Sequence, residues 1–269
     1  MNNSMMTVDK YLRRIGYDGS QEPTLATLNG VQKAHLTSVP YENLDLLYRR
    51  ECSLAVEVMY DKIVNRRRGG YCFELNGLYT WLLRELGFKV TEFFGRWLLG
   101  ESLSVPKRRH RILRVDLPEG PYVADVGVGR ACPQTPLRFE ADIIQEREGT
   151  NYRIVTDPIL GWVVQVETDA GYANFYSFTE DPQQAIDFAY PHYYCATHPN
   201  SPFLAKTMVH MATPLGRNSV VDAFDPETGM KARLFRIGLG EGKIKEFLAR
   251  TETEFQAGLL DYFGIDWKG

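Results

Sequence analysis

The sequence predicts a multidomain α+β protein, and three observations carry that reading. Apolar residues recur at three- and four-residue steps through residue 87, the period of helices packed on one face. The period then changes to short runs rich in Val, Ile and aromatics, broken by Pro, Gly and Asp, which read as strands. After Pro182 the two patterns mix. With 269 residues, 44% of them hydrophobic, the chain can bury more than one core.

Each element follows from its own pattern. Val8, Tyr11, Leu12 and Ile15 make a short helical stripe, ended by Gly16 and Gly19. Leu25, Leu28 and Val31 start a second, which stops near Pro40. Val56, Met59, Tyr60 and Ile63 make a third. Leu75, Leu78, Tyr79, Leu82 and Leu86 make a fourth, closed by Gly87 where a left-handed cap is expected. The runs FKVTEFFGRWLL, HRILRVDL, YVADVGV, YRIVT and GWVVQVE predict an antiparallel sheet or barrel. QQAIDFAYPHYYCATHPNSPF reads as a helix followed by a loop. TMVHMAT, NSVVDAF and KARLFRI read as strands, and GKIKEFLARTETEF as a helix.

Composition excludes several classes. The net charge of −3 gives no basic field for nucleic acid. No apolar run reaches the roughly 18 residues of a membrane helix. The start, MNNSMMTVDKYLRR, lacks the apolar stretch of a signal peptide, so a cytoplasmic protein without membrane partner is expected. The four cysteines, at 52, 72, 132 and 195, form no C-x-x-C pair, so no metal site is expected. They are too sparse for a disulfide scaffold. The default for each is a small buried hydrophobe.

Cys72 is the exception worth weighing. It stands in RRRGGYCFELNG, just before the fourth helical stripe. A helix start carries partial positive charge and unpaired N–H groups, which favour a thiolate. Arg66, Arg67 and Arg68 add charge nearby unless carboxylates or solvent take them up. Such surroundings lower a thiol pKa from about 8.5 to about 7 or below. Gly69 and Gly70 give the backbone freedom to aim the cysteine. The competing reading is a capping turn around a buried thiol.

A thiol nucleophile needs a base, and the base an orienting acid. Of the histidines, His35 lies on a helical face and reads as packed there. His192, His198 and His210 read as loop or surface groups. His110 opens HRILRVDL, and Asp125 lies in the next strand-like run. The turn PEGP, residues 118–121, joins the two as a hairpin. Direct opposition of His110 and Asp125 centres the turn slightly before PEGP, so the register is open and a bulge is one solution.

These residues resemble the arylamine N-acetyltransferase family. RRGGYCFELN is similar to its active-site signature, and the Cys72–His110 and His110–Asp125 separations of 38 and 15 residues match its Cys-His-Asp pattern. YLRRIGY, SVPYENLDL, GRW, DVGVG, HPNSPF and TPLGR follow in family order, so the resemblance covers essentially the whole chain. It implies a papain-like arrangement: a helical bundle carrying the nucleophile (1–87), a central antiparallel β-barrel carrying His and Asp (88–182), an inter-domain segment (183–204) and a C-terminal α/β lid (205–269).

The resemblance also implies an acyltransferase. Acetyl-CoA would be the donor and an arylamine, arylhydrazine or N-hydroxyarylamine the acceptor, in a ping-pong sequence through an acetyl-cysteine. Tyr41, Trp97, Val128 and Phe203 would line the acceptor slot. Val128 stands where many members carry Phe, and Tyr41 where Phe is usual. Gly127 and Gly129 would let CoA approach the backbone, and Lys107 and Arg109 would meet its phosphates. Arg109 departs from the small or hydroxyl-bearing residue usual before the histidine. The alternative on the same fold is an amide synthase fed by a carrier-bound polyketide. A thiol peptidase and a non-catalytic CoA-binding module are further rivals.

Overall fold

A computed structural model describes residues 6–103, 105–129 and 132–268. The N-terminal part is helical: α1 Val8–Ile15, α2 Leu25–Ser38, a two-residue strand β1 Tyr41–Glu42, α3 Leu44–Leu47, α4 Val56–Tyr60 and α5 Cys72–Glu85. A π-helical turn, Asp61–Asn65, continues α4. Thr7 caps α1 by accepting from the Lys10 N–H, and Gly16 ends it with φ of 69°. The anticipated stripes meet in one core of Tyr11, Leu12, Leu28, Val31, Leu78 and Leu82.

Strands β2 Lys89–Trp97, β3 Arg108–Leu117, β4 Gly120–Ala124, β5 Leu137–Arg138, β6 Gln145–Arg147, β7 Thr150–Asp157, β8 Gly161–Thr168 and β9 Gly171–Gln183 follow. They form one antiparallel sheet in the order β5-β4-β3-β2-β9-β8-β7-β6, curled nearly closed around Phe93, Ile112, Ile154, Val164, Phe175 and Phe178. This is the α+β architecture expected. The β3–β4 hairpin pairs Leu117 with Gly120, so Pro118 and Glu119 make its turn. That register settles the open question: strand β4 ends at Ala124, and Asp125 is not paired directly across from His110.

The rest of the chain is helix α6 Ala189–Thr197, strands β10 Val209–Thr213, β11 Gly216–Phe224, β12 Lys231–Gly238 and β13 Ile244–Ala249, and helix α7 Glu252–Phe263. Here one expectation fails. GKIKEFLARTETEF is not one helix: its first half is β13, and only its end enters α7. The open edge of β12 supplies backbone partners, and Phe247 stacks on Phe235 at 4.8 Å. Those gains outweigh the helix preference of Lys and Glu. Thr251 then caps α7, accepting from the Glu254 N–H at 3.2 Å while Glu254 accepts from Thr251 at 3.1 Å.

A second feature was invisible in the pattern. β1, from the N-terminal part, is the edge strand of the C-terminal sheet, pairing Tyr41 with His210 and Glu42 with Val209. Asn43 reinforces the junction: its side-chain amide donates to the Phe203 and Lys206 carbonyls, each at 2.8 Å. Among the described residues, no helix is long and apolar enough to cross a membrane.

Candidate active site

Cys72 is the first residue of α5, and a buried ion network fixes that helix start. The Tyr71 N–H donates to Glu74 at 3.1 Å. Lys62 joins Glu74 (2.7 Å) to Asp45 (2.6 Å), and Arg68 joins Glu42 (2.6 Å) to the same Asp45 (3.2 Å). Gly69 passes so near the Pro40 carbonyl that a Cβ there would sit 2.0 Å from the oxygen. Neither Gly69 nor Gly70 is in the left-handed region, so close approach, not unusual dihedrals, is what the pair supplies. The arginines are turned to other partners or to solvent: Arg68 is consumed by carboxylates, Arg66 pairs with Asp61 in solvent, and Arg67 is exposed.

The His and Asp converge on this helix. His110 Nε2 and Asp125 Oδ2 are 2.6 Å apart, both groups buried. The Cys72 thiol donates to the carbonyl of Arg109, the residue before His110, at 3.6 Å. Asn76 holds the parts together. One turn after Cys72, its amide donates to Asp125 Oδ1 (2.8 Å) and the Arg111 carbonyl (2.6 Å), and its oxygen accepts from the Val126 N–H (2.9 Å). Asp125 Oδ1 also accepts from Gly127 N–H at 2.7 Å, and Gln32 accepts from the Asp125 N–H at 3.3 Å. Asp125 is thus fixed by α5, α2 and its own loop, which a two-strand argument did not foresee.

Electrostatics corrects one expectation. Burial pushes the Cys72 thiol well above its ordinary value, with Cys195 and Asp125 adding to the rise. Arg109 and the Phe73 N–H pull the other way without prevailing. The sulfur lies in an apolar cluster with Leu46, Tyr71, Phe73, Phe188, Cys195 and Phe203, and Cys72 is 3% exposed. Desolvation disfavours a lone thiolate more than one helix end favours it.

The remaining expected residues fall in two groups. Phe203 and Tyr41 belong to the apolar cluster around the sulfur. Phe203 meets Tyr71 edge-on at 5.3 Å, and Tyr41 faces His210 at 6.2 Å. Trp97 and Val128 belong to the barrel core, with Trp97 edge-on to His110 at 6.5 Å. Val128 and Gly129 also line a narrow cleft with Val39, Tyr41, His210 and Arg217, where the helical, barrel and C-terminal parts meet; Cys72 does not line it. Gly127 packs on the helix start, where a Cβ would lie 2.8 Å from Cys72 Cα. Lys107 lies 5.5 Å over Tyr194, and Arg109 binds Glu101 at 2.8 Å.

The other histidines are more structural than expected. His35 is buried against Tyr11 at 2.8 Å, as anticipated. His192 is neither loop nor free surface: it sits in α6, bonded to the Tyr71 hydroxyl and, at 2.8 Å, to the Cys52 carbonyl. His210 is buried in β10. Asn76, Gln32, Lys62 and Glu42 escaped the sequence reading. Only Asn76 left a local signal, four residues after Cys72 on the same helix face.

Comparison with known proteins fits this geometry. A family model described as N-acetyltransferase matches residues 24–268. An arylamine N-acetyltransferase of Mycolicibacterium smegmatis is 38% identical over 77% of this chain and 77% of its own length. An arylamine N-acetyltransferase / N-hydroxyarylamine O-acetyltransferase of Salmonella typhimurium is 36% identical over 72% of this chain and 68% of its own. The solved structure of Mycobacterium marinum arylamine N-acetyltransferase in complex with CoA superposes with a TM-score of 0.84 at 31% identity, covering 97% of this chain and 93% of that one.

Proposed function

The chain belongs to the arylamine N-acetyltransferase family, and on that premise we propose that it moves an acetyl group from acetyl-CoA to an arylamine, arylhydrazine or N-hydroxyarylamine through an acetyl-cysteine at Cys72. The observation that carries this reading is the buried His110–Asp125 pair, 2.6 Å apart, set beside a helix-initial cysteine whose sulfur reaches the carbonyl of residue 109. The smegmatis and Salmonella names and the CoA complex of the marinum enzyme support the donor and acceptor classes.

The residues divide the work as follows. Asp125 binds His110 at Nε2, holding the ring proton there and leaving Nδ1 as the base. The thiol turns from the Arg109 carbonyl toward Nδ1 and gives up its proton. An ion pair is formed rather than a lone thiolate, which offsets the cost of burial. The thiolate attacks the thioester carbonyl, and N–H groups at the start of α5 stabilise the oxyanion. The bond from the acetyl carbon to the CoA sulfur breaks, and His110 gives its proton to that departing sulfur. The acceptor amine then attacks the acetyl-cysteine, His110 removes its proton, and the bond to Cys72 Sγ breaks, releasing the acetylated acceptor and returning the proton to the Cys72 sulfur. The cluster around Cys72 keeps water from the thioester, and entry of either substrate displaces part of that cover. Aromatic amines suit the site because they are unprotonated near neutral pH.

Mass spectrometry of the intact protein after incubation with acetyl-CoA alone tests this. One added acetyl group, absent in Cys72→Ala, is expected. No addition, or addition that survives Cys72→Ala, overturns the reading. Acetylation of small arylamines separates it from the amide synthase alternative, which takes its acyl group from a carrier.

A further inference from the structure

The Arg109 side chain is largely withdrawn from solvent, 17% exposed, and its charge, like that of the buried Arg111, acts on the sulfur. Its guanidinium lies 5.9 Å from the centre of the Phe203 ring, itself a wall of the Cys72 cluster. Cys72, Cys195 and Tyr41 all feel its charge. Lys107 and Arg108, by contrast, are exposed. Among the described residues Arg109 makes one side-chain hydrogen bond, from Nη2 to Glu101 Oε2 at 2.8 Å. A guanidinium has five N–H donors in a planar fork, so most of this one remains available. The opposing acidic groups near it are Glu101, 21% exposed at its side chain, and Asp125, whose oxygens are occupied by His110, Asn76 and Gly127.

The two substrates differ in what they bring to this point. Acetyl-CoA carries its charge on phosphates at the far end of an uncharged pantetheine arm, and its thioester end is neutral. A cation beside the sulfur therefore meets no formal charge on the donor as it binds, and the oxyanion formed later has the N–H groups at the start of α5. An aromatic acceptor brings its own ring substituents to the same place. We propose that the Arg109 guanidinium, leaning over Phe203 beside Cys72, is a specificity residue that selects arylamines bearing a ring carboxylate. This replaces the expectation that Arg109 meets CoA phosphate, and it rests on the acetyl-transfer reading above. The carboxylate takes the unused face of the fork while Glu101 steadies the other, and Phe203 receives the acceptor ring.

The test compares kcat/KM for 4-aminobenzoate and for its neutral amide, 4-aminobenzamide, at saturating acetyl-CoA, in the natural protein and in Arg109→Met. The benzoate-to-amide ratio is expected to fall roughly ten- to a hundredfold, the worth of a charge-assisted hydrogen bond. Arg109→Lys, which keeps the charge but loses the fork, should fall between the two. An unchanged ratio in either variant overturns the proposal, even if both rates drop together. So does a loss confined to KM for acetyl-CoA, which returns Arg109 to the CoA phosphates. Failure of Cys72 to acquire acetyl in the natural protein refutes the underlying reading instead, and the intact-mass measurement shows that separately.

Discussion

Replacing Asn76 by alanine removes the bolt that joins helix α5 to the His110–Asp125 pair. Asn76 is fully buried and makes three hydrogen bonds: to Asp125 Oδ1 (2.8 Å), to the Arg111 carbonyl (2.6 Å) and from the Val126 N–H (2.9 Å). In the alanine variant the Val126 N–H is left in an interior without that partner, at about 1–3 kcal/mol. The bond to the Asp125 carboxyl group contributes a further 1.5–3 kcal/mol or so. Gly127 N–H still holds the same carboxylate oxygen at 2.7 Å, so Asp125 is loosened rather than freed. The total is about 3–5 kcal/mol, and at roughly 2–4 °C per kcal/mol for a chain of this size the melting temperature should drop by about 10 °C. Misplacement of reacting groups by 1 Å costs about a hundredfold in rate, so acetylation of Cys72 should slow by at least tenfold. Denaturant unfolding measures the first quantity and rapid-quench mass spectrometry the second. Destabilisation under 1 kcal/mol with an acetylation rate within twofold of normal would refute the reasoning.

Other consequences follow from the same structure. Gly127→Ala puts a methyl 2.8 Å from Cys72 Cα and 2.6 Å from the Asn76 amide; the helix start must shift, and acetylation measured by intact mass should slow at least tenfold while the chain remains folded by circular dichroism. Lys62→Met leaves buried Glu74 without its cation and Asp45 with Arg68 alone, where both now lie 2.7 and 2.6 Å from the ammonium, and should cost about 3–5 kcal/mol in urea unfolding. Burial, with Arg14 nearby, pulls His35 down to about 3, so the unfolded chain binds a proton below its ordinary value of about 6.5 that the folded chain refuses. Stability from this group is therefore whole above pH 6.5 and lost as pH falls, by about 2 kcal/mol at pH 5. His35→Phe should flatten that part of the pH–stability curve, and an unaltered slope would count against it. Asp125→Asn should keep the fold and lose most activity in a CoA-release assay; full retention removes Asp125 from the mechanism.

Much of this was legible in the sequence because it depends on local order. Helix periodicity, Gly16 and Gly87 as left-handed ends, and the strand runs from 89 to 168 are properties of short windows. The motif around Cys72 and its spacing to His110 and Asp125 were legible too, since they are linear facts. The failures share a cause. The segment 244–249 became a strand because β12 offered an open edge, and no window containing only those residues could know that. The fate of Arg66 and Arg68 depended on carboxylates at 42, 45 and 61. The burial that pushes the Cys72 thiol up depended on Phe188, Cys195 and Phe203, more than a hundred residues away.

Linear order carried the residue types on offer and the class of helix or strand most of them enter, because backbone preference and amphipathic period act over a few residues. Long-range packing set the rest: β1 joins the last sheet, Asn76 and Gln32 hold Asp125, and the Arg109 guanidinium lies over Phe203. Burial and electrostatics are sums over everything that surrounds a group, and most of what surrounds Cys72 is distant in the chain.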